Sequence, residues 1–202
     1  MKSHPFKHYI LITSHRHRVI KNAFHLGIFF HALKHDLSKY SPIEFLTSAK
    51  YYAGNHSPVF EERLTNSYFS KVCQHHTKRN PHHWEYWTDF FGGRILAKRM
   101  PYKYALEYVA DVISASYTYN PKSFKKDTPL NYFNSKKDHY FMNNATKEFL
   151  TYCFEEYAKN GFKNLKKTNT YPKYQELSKK YPEVEMYETS VEALSLPPLK
   201  AK

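Results

Sequence analysis

The sequence predicts an all-α protein, and three observations predict it. Apolar residues recur at helical spacing along most of the chain. Helix-capping residues stand before proline at the start of one apolar stretch after another. Glycine, which tight strand-to-strand turns favour, occurs only 5 times. The elements follow in order. Residues 8–26 set Leu11, Ile12, Val19, Ala23 and Leu26 on one stripe, and Gly27 can end that helix. Ile28–Tyr40 is a second helical stretch, stopped by Ser41-Pro42. Ser41-Pro42-Ile43-Glu44 is a capping box with proline in the first turn, and it starts a third helix to about Tyr52. Ala53-Gly54-Asn55-His56 is a turn, after which Ser57-Pro58 opens a short helix. Tyr68–Lys78 reads as helix. Asn80-Pro81 repeats the cap-then-proline signal and opens a helix through Trp87, and Gly92-Gly93 breaks the chain. Pro101 starts a long apolar helix to about Tyr119. Residues 121–140, rich in Lys, Asn and Ser, read as loop, and Asn144–Asn160 returns to a helical period closed by Gly161. The expected organisation is one helical domain over 1–165 and a loosely packed Lys/Pro-rich tail over 166–202.

The 31 Lys and Arg against 18 Asp and Glu leave a net charge of +13. Such a surface favours anionic partners (nucleotides, nucleic acid, acidic lipid), or else serves solubility. Cys73 and Cys153 make no disulfide framework, so reduced thiols and a cytoplasmic location are expected. No apolar run approaches the roughly 20 residues of a membrane helix, and His, Lys and Arg interrupt the N-terminal segment. A membrane or secreted protein is therefore not expected.

Histidine is the conspicuous residue. Of 13, eight fall in four close pairs: His15/His17, His31/His35, His75/His76 and His82/His83. At 100° per residue, His15 shares the apolar stripe of the first helix while His17 faces away beside Lys21. An inward imidazole needs a partner, either a backbone carbonyl or a metal. His35-Asp36 stands near the end of the second stretch. Lys39 lies one turn on, so an imidazole, a carboxylate and an ammonium share a face there. That set suits a divalent ion beside an anionic oxygen, or a plain helix-terminal ion pair. The run His75-His76-Thr77-Lys78-Arg79-Asn80-Pro81-His82-His83-Trp84-Glu85 brackets a basic turn with two histidine pairs. One ring from each pair can reach a common centre, and four rings beside Lys78 and Arg79 would repel unless neutral or ligated. Asp111 sits among Val109, Ala110, Val112 and Ile113, where an ionised carboxylate must be paired or coordinated.

The ordered set His, His-Asp, His, His, Asp resembles the HD superfamily of metal-dependent phosphohydrolases, which are all-helical. His35-Asp36-Leu37-Ser38-Lys39 looks like the His-Asp-x-Gly-Lys variant of cyclic-dinucleotide phosphodiesterases and HD-type di-iron oxygenases, with Ser38 in place of glycine. The stretches HDLSKYSPIEF, SAKYYAGNHSP, HHTKRNPHHWEYW and MPYKYALEYVADVISAS are similar to a small bacterial and phage HD-like family without established function. The resemblance covers about residues 8–160 and implies an HD-domain-like helical bundle. It also implies that His15, His35, Asp36 and Asp111 hold a first metal. Asp36 would bridge to a second, completed by one of His75/His76 and one of His82/His83. The four clustered histidines do not map one-to-one onto the ligands of the binuclear members. One or two divalent transition metal ions are expected, with Fe, Mn, Zn and Ni equally compatible with such donors.

The expected activity is hydrolysis of a nucleotide, cyclic nucleotide or related phosphate ester. Lys39, with Lys78 or Arg79, would bind phosphate, and Glu85 would donate a proton or orient a ligand. Two other readings fit the same residues. One is an HD-type di-iron oxygenase. The other is a nucleic-acid or nucleotide-binding module with a structural metal, in which runs such as Tyr102-Lys103-Tyr104 would stack on bases.

Overall fold

The computed structural model describes residues 2–188. Its helices are α1 (Pro5–His25), α2 (Phe29–Ala32), α3 (Pro42–Lys50), α4 (Pro58–Thr65), α5 (Lys71–Thr77), α6 (Tyr102–Tyr119), α7 (Thr128–Asn134), α8 (Asn144–Asn160) and α9 (Lys167–Lys180). Three short strands, β1 (Thr88–Phe91), β2 (Arg94–Lys98) and β3 (Val184–Tyr187), form one antiparallel sheet in the order β1-β2-β3. The expectation of a mostly helical chain holds, while the purely α class is corrected by this sheet.

The core is built where α1 packs on α6 and α6 on α7 and α8. Val19 and Ala23 of α1, with Leu26 just past its end, share a core with Ala105, Leu106, Val109 and Ala110 of α6. Phe133 of α7 and Phe149, Leu150 and Phe154 of α8 close the other side, all fully buried. Local signals at several boundaries operate as the sequence implies. Gly27, at φ +73°, ends α1 in the left-handed region that glycine tolerates. Ser41 and Ser57 accept backbone N–H groups at the starts of α3 and α4, each with proline in the first turn. Asn143 caps α8, and Gly161 follows its last residue.

Six segments differ from the sequence reading. The second helical stretch stops at Ala32, because Arg16 of α1 takes the carbonyls of Leu33 and His35. The chain then turns through Asp36, at φ +53°, into a single 3-10 turn over Leu37–Tyr40. The fifth helix begins at Lys71 rather than Tyr68, since Ser67 and Tyr68 both have positive φ and Ser70 supplies the cap. Asn80-Pro81 opens no α-helix. The Asn80 amide instead donates to Ser38 Oγ and to the His76 carbonyl, both at 2.8 Å, and only a 3-10 turn over Trp84–Trp87 follows.

Gly92-Gly93, read as a break, is the two-residue turn of the β1–β2 hairpin, with φ of +60° and +77°. Within 121–140, read as loop, α7 buries Phe133. The tail expected to be loose is packed as far as it is described. Leu177 of α9 is in the core, Tyr102 shares a 2.6 Å hydrogen bond with Thr170, Tyr174 donates to the Met100 carbonyl, and β3 pairs with β2. The part of the expected tail from Thr189 onward lies outside the described residues.

Candidate metal centre

Four parts of the chain bring their polar side chains to one buried place. From α1 comes His15, which faces inward between Ile12 and Val19 while His17 stays exposed. His35 and Asp36 come from the turn after α2. Their α-helical divergence would be about 100°, but the left-handed Asp36 re-aims its carboxylate, and His35 Nε2 lies 3.3 Å from Asp36 Oδ2. His76 comes from the last turn of α5, and His82 and His83 from the turn that Asn80 fastens to Ser38 and α5. Glu107 and Asp111, one turn apart on α6, complete the set.

The separations are those of atoms gathered around shared centres. Asp36 Oδ1 lies 3.2 Å from His76 Nε2 and 3.5 Å from His82 Nε2. Asp111 Oδ1 lies 2.9 Å from His15 Nε2 and 3.7 Å from His35 Nε2, and Asp111 Oδ2 lies 3.8 Å from His82 Nε2. Three compact groups emerge, His15/His35/Asp111 and Asp36/His76/His82/His83 around the two aspartates and His35/His82/Glu107 beside them. The donor atoms within each all lie within 4.8 Å of one another. Asp36 stands between the first two, Oδ2 toward His35 and Oδ1 toward His76 and His82.

The far side of several rings is held by carboxylates. Glu107 Oε1 is 2.8 Å from His35 Nδ1 and 3.4 Å from His82 Nδ1, and its Oε2 is 2.9 Å from His31 Nε2. Glu44 accepts from His75 Nδ1 at 2.6 Å and from His76 Nδ1 at 2.8 Å. A proton donated outward from Nδ1 leaves the Nε2 lone pair of a neutral ring facing the centre. Lone pairs on Nε2 and on a carboxylate oxygen repel at such distances unless a proton or a metal cation lies between them.

The residues therefore fit a metal, on two observations. First, His35 Nε2, His82 Nε2, His83 Nε2 and Asp36 Oδ1 are buried and make no hydrogen bond, which is costly in any other use of a polar atom. Second, ligand atoms each about 2.1 Å from one ion stand roughly 3.0–3.4 Å apart, the spacing seen around Asp36.

Electrostatics agree. Burial alone would raise the carboxyls of Asp36, Asp111 and Glu107. The surrounding imidazoles, with Lys39 beside Asp36, outweigh it and hold all three far below the ordinary range. Glu44 is likewise lowered by His76 and His75. Burial lowers His15 and His83, whereas His35 is carried up to about 10 against its burial by Asp36, Glu107 and Asp111. His76 is likewise raised, by Asp36 and Glu44, so four carboxylates face the Lys39 ammonium and two imidazoles that they draw toward the charged form, a field that favours cations.

The other expected site residues fall as follows. His75 is outside all three groups, and its Nδ1 donates to Glu44 beside that of His76. Lys39 reaches the centre, its Nζ 2.6 Å from Asp36 Oδ2 and its side chain partly exposed. Lys78 and Arg79 are exposed, and Arg79 donates to the His75 carbonyl. Glu85 lies in the 3-10 turn with a carboxyl raised by burial and an oxygen that makes no hydrogen bond. Glu44 and Glu107 were legible only as a helix-start acid and an ordinary helix residue. For Glu107 a signal existed, since it precedes Asp111 by one turn in an apolar helix.

No curated protein and no solved structure matches the chain. A family model, described as a family of unknown function (DUF5662), matches residues 4–156, a span that holds every residue of the centre described above. The chain belongs to that family of unknown function, DUF5662.

Proposed function

We propose that the protein is a metal-dependent phosphohydrolase of the HD type, acting on a nucleotide, a cyclic nucleotide or a related phosphate ester. The observation that carries this reading is the convergence of orphaned imidazole Nε2 atoms on Asp36 and Asp111, with the outer nitrogens of His35, His76 and His82 on glutamates. His15, His35 and Asp111 would hold one divalent ion, and Asp36 with His76, His82 and His83 would hold a second. Bound ions at such a centre supply Lewis acidity and make water nucleophilic at neutral pH.

The chain's own residues do the rest. Glu44 and Glu107 fix ring orientation and tautomer. Lys39, beside Asp36 and partly exposed, presents an ammonium where a phosphoryl oxygen would approach. The +13 net charge favours an anionic substrate. The test is metal analysis of purified protein, followed by assay against a panel of phosphate mono- and diesters with Mn, Fe, Co or Ni supplied. Stoichiometric metal that is lost in His35→Ala, with phosphate or monophosphate released by the wild type, is the expected result. Bound metal without hydrolysis of any ester would overturn the activity, and the absence of metal under all loadings would overturn the centre.

A further inference from the structure

Outside the metal centre, the outward face of α1 carries a groove. It is lined by Tyr9, Ile10, Thr13, His17, Arg18 and Lys21, together with Ser14, and has a volume of about 470 Å³. Its charge has one sign. α1 contains no Asp or Glu over its 21 residues, and among the described residues neither Arg18 nor Lys21 forms an ion pair. Arg18 is nevertheless held in place. Its Nη1 donates to Ser14 Oγ at 2.8 Å and to Thr118 Oγ1 at 3.3 Å, and its guanidinium lies 5.1 Å from the centre of the Tyr117 ring. These partners are all neutral, so they fix the cation without neutralising it. At the other end the groove carries exposed aromatic and aliphatic surface, Tyr9 and Ile10.

The groove is also connected to the centre. Thr13 Oγ1 shares a 3.0 Å hydrogen bond with Tyr40 Oη, and the Tyr9 ring packs edge-on against Tyr40 at 6.1 Å. Tyr40 ends the same 3-10 turn that carries Lys39, whose ammonium touches Asp36. Two residues that line the groove, Tyr9 and Thr13, thus touch the segment that presents Lys39.

We propose that this groove binds the backbone of a single-stranded oligonucleotide, so that the phosphodiester cleaved at the centre belongs to a longer chain rather than to a mononucleotide. The inference rests on the phosphohydrolase reading for its cleavage step but not for its binding step. Arg18 and Lys21 supply the phosphate contacts, and Tyr9 offers a ring face to a base. The exposed Ile10 supplies apolar contact for the same base. An acidic lipid headgroup would satisfy the same cations and ring, yet the contact of Tyr9 and Thr13 with the turn that presents Lys39 favours a ligand that also reaches the centre.

The test is fluorescence anisotropy of a labelled oligo-dT with the full chain in chelator, where no cleavage occurs, over a series of salt concentrations. Wild type is expected to bind with a salt-steep affinity. Arg18→Ala/Lys21→Ala is expected to bind at least about tenfold more weakly, with a log–log salt slope shallower by about 1.4, the share of two single-strand phosphate contacts. Lys21→Ala alone, on an exposed side chain, guards against misfolding and should lose about half of that slope. An unchanged affinity and slope in the variants, or no binding by wild type, would overturn the proposal. So would binding to phosphatidylserine vesicles without binding to the oligonucleotide, which would assign the groove to a membrane surface. Because binding is read without metal or turnover, its failure is distinct from failure of the phosphohydrolase reading, which the small-ester assay decides separately.

Discussion

Glu107 is approached by three imidazoles, those of His31, His35 and His82, and two of these rings point their other nitrogen at the centre. One carboxylate thus sets the tautomer of two candidate ligands. Glu107→Gln keeps the shape but replaces an acceptor pair with one acceptor and one donor. Metal affinity should fall about 10- to 100-fold, as measured by competition with a chromophoric chelator. Glu44→Gln should act the same way through His76. A ligand-free histidine gives the pH dependence of stability. His8 is buried against Phe45 and Tyr52, with an Nδ1 that makes no hydrogen bond. That burial, with Lys39 nearby, lowers it to about 4. Its ordinary value is 6.5, so between about pH 6.5 and 4 the unfolded chain takes up a proton that the folded chain refuses. Stability should therefore fall as pH drops through that window. His8→Gln should flatten this part of the pH profile in urea-unfolding midpoints.

The hairpin turn shows what a glycine pair can mean. A Cβ on Gly93 would meet no atom within 4 Å, so any cost of Gly93→Ala is conformational, set by φ of +77°. The expected loss is about 1 kcal/mol, read as a lowered midpoint in thermal unfolding. The same dipeptide signals a chain break or a tight turn, and which one depends on whether its flanks pair. Thr88–Phe91 and Arg94–Lys98 do pair, and β3 extends the ladder from more than 80 residues away. Nothing local to Val184–Tyr187 announces that partner. The segment around α9 illustrates the same point, since Lys-rich composition masked a single buried stripe. Leu177→Ala should cost about 2–5 kcal/mol, a loss that no loosely packed tail would show.

At the scale of the molecule, the buried centre joins α1, the turn after α2, α5 with its following turn, and α6, so an ion bound there would tie the fold together. Divalent metal should raise the melting temperature, by an amount equivalent to about 2.7 kcal/mol at a free concentration one hundred times its Kd, as read by calorimetry. His35→Ala should abolish that rise.

By itself the sequence determined most of the helices and named His15, His35, Asp36, His76, His82, His83 and Asp111, because helical period and proline-cap chemistry are local and a buried ionisable group is conspicuous in an apolar stripe. Only the tertiary structure decided the aim of those side chains. A single left-handed residue, Asp36, turns its carboxylate between two groups of imidazoles, and a glutamate on α3 holds His75 and His76 together while only His76 reaches Asp36. Direction and partnership depend on backbone angles and on residues distant in the chain, and neither is written in the spacing of neighbours.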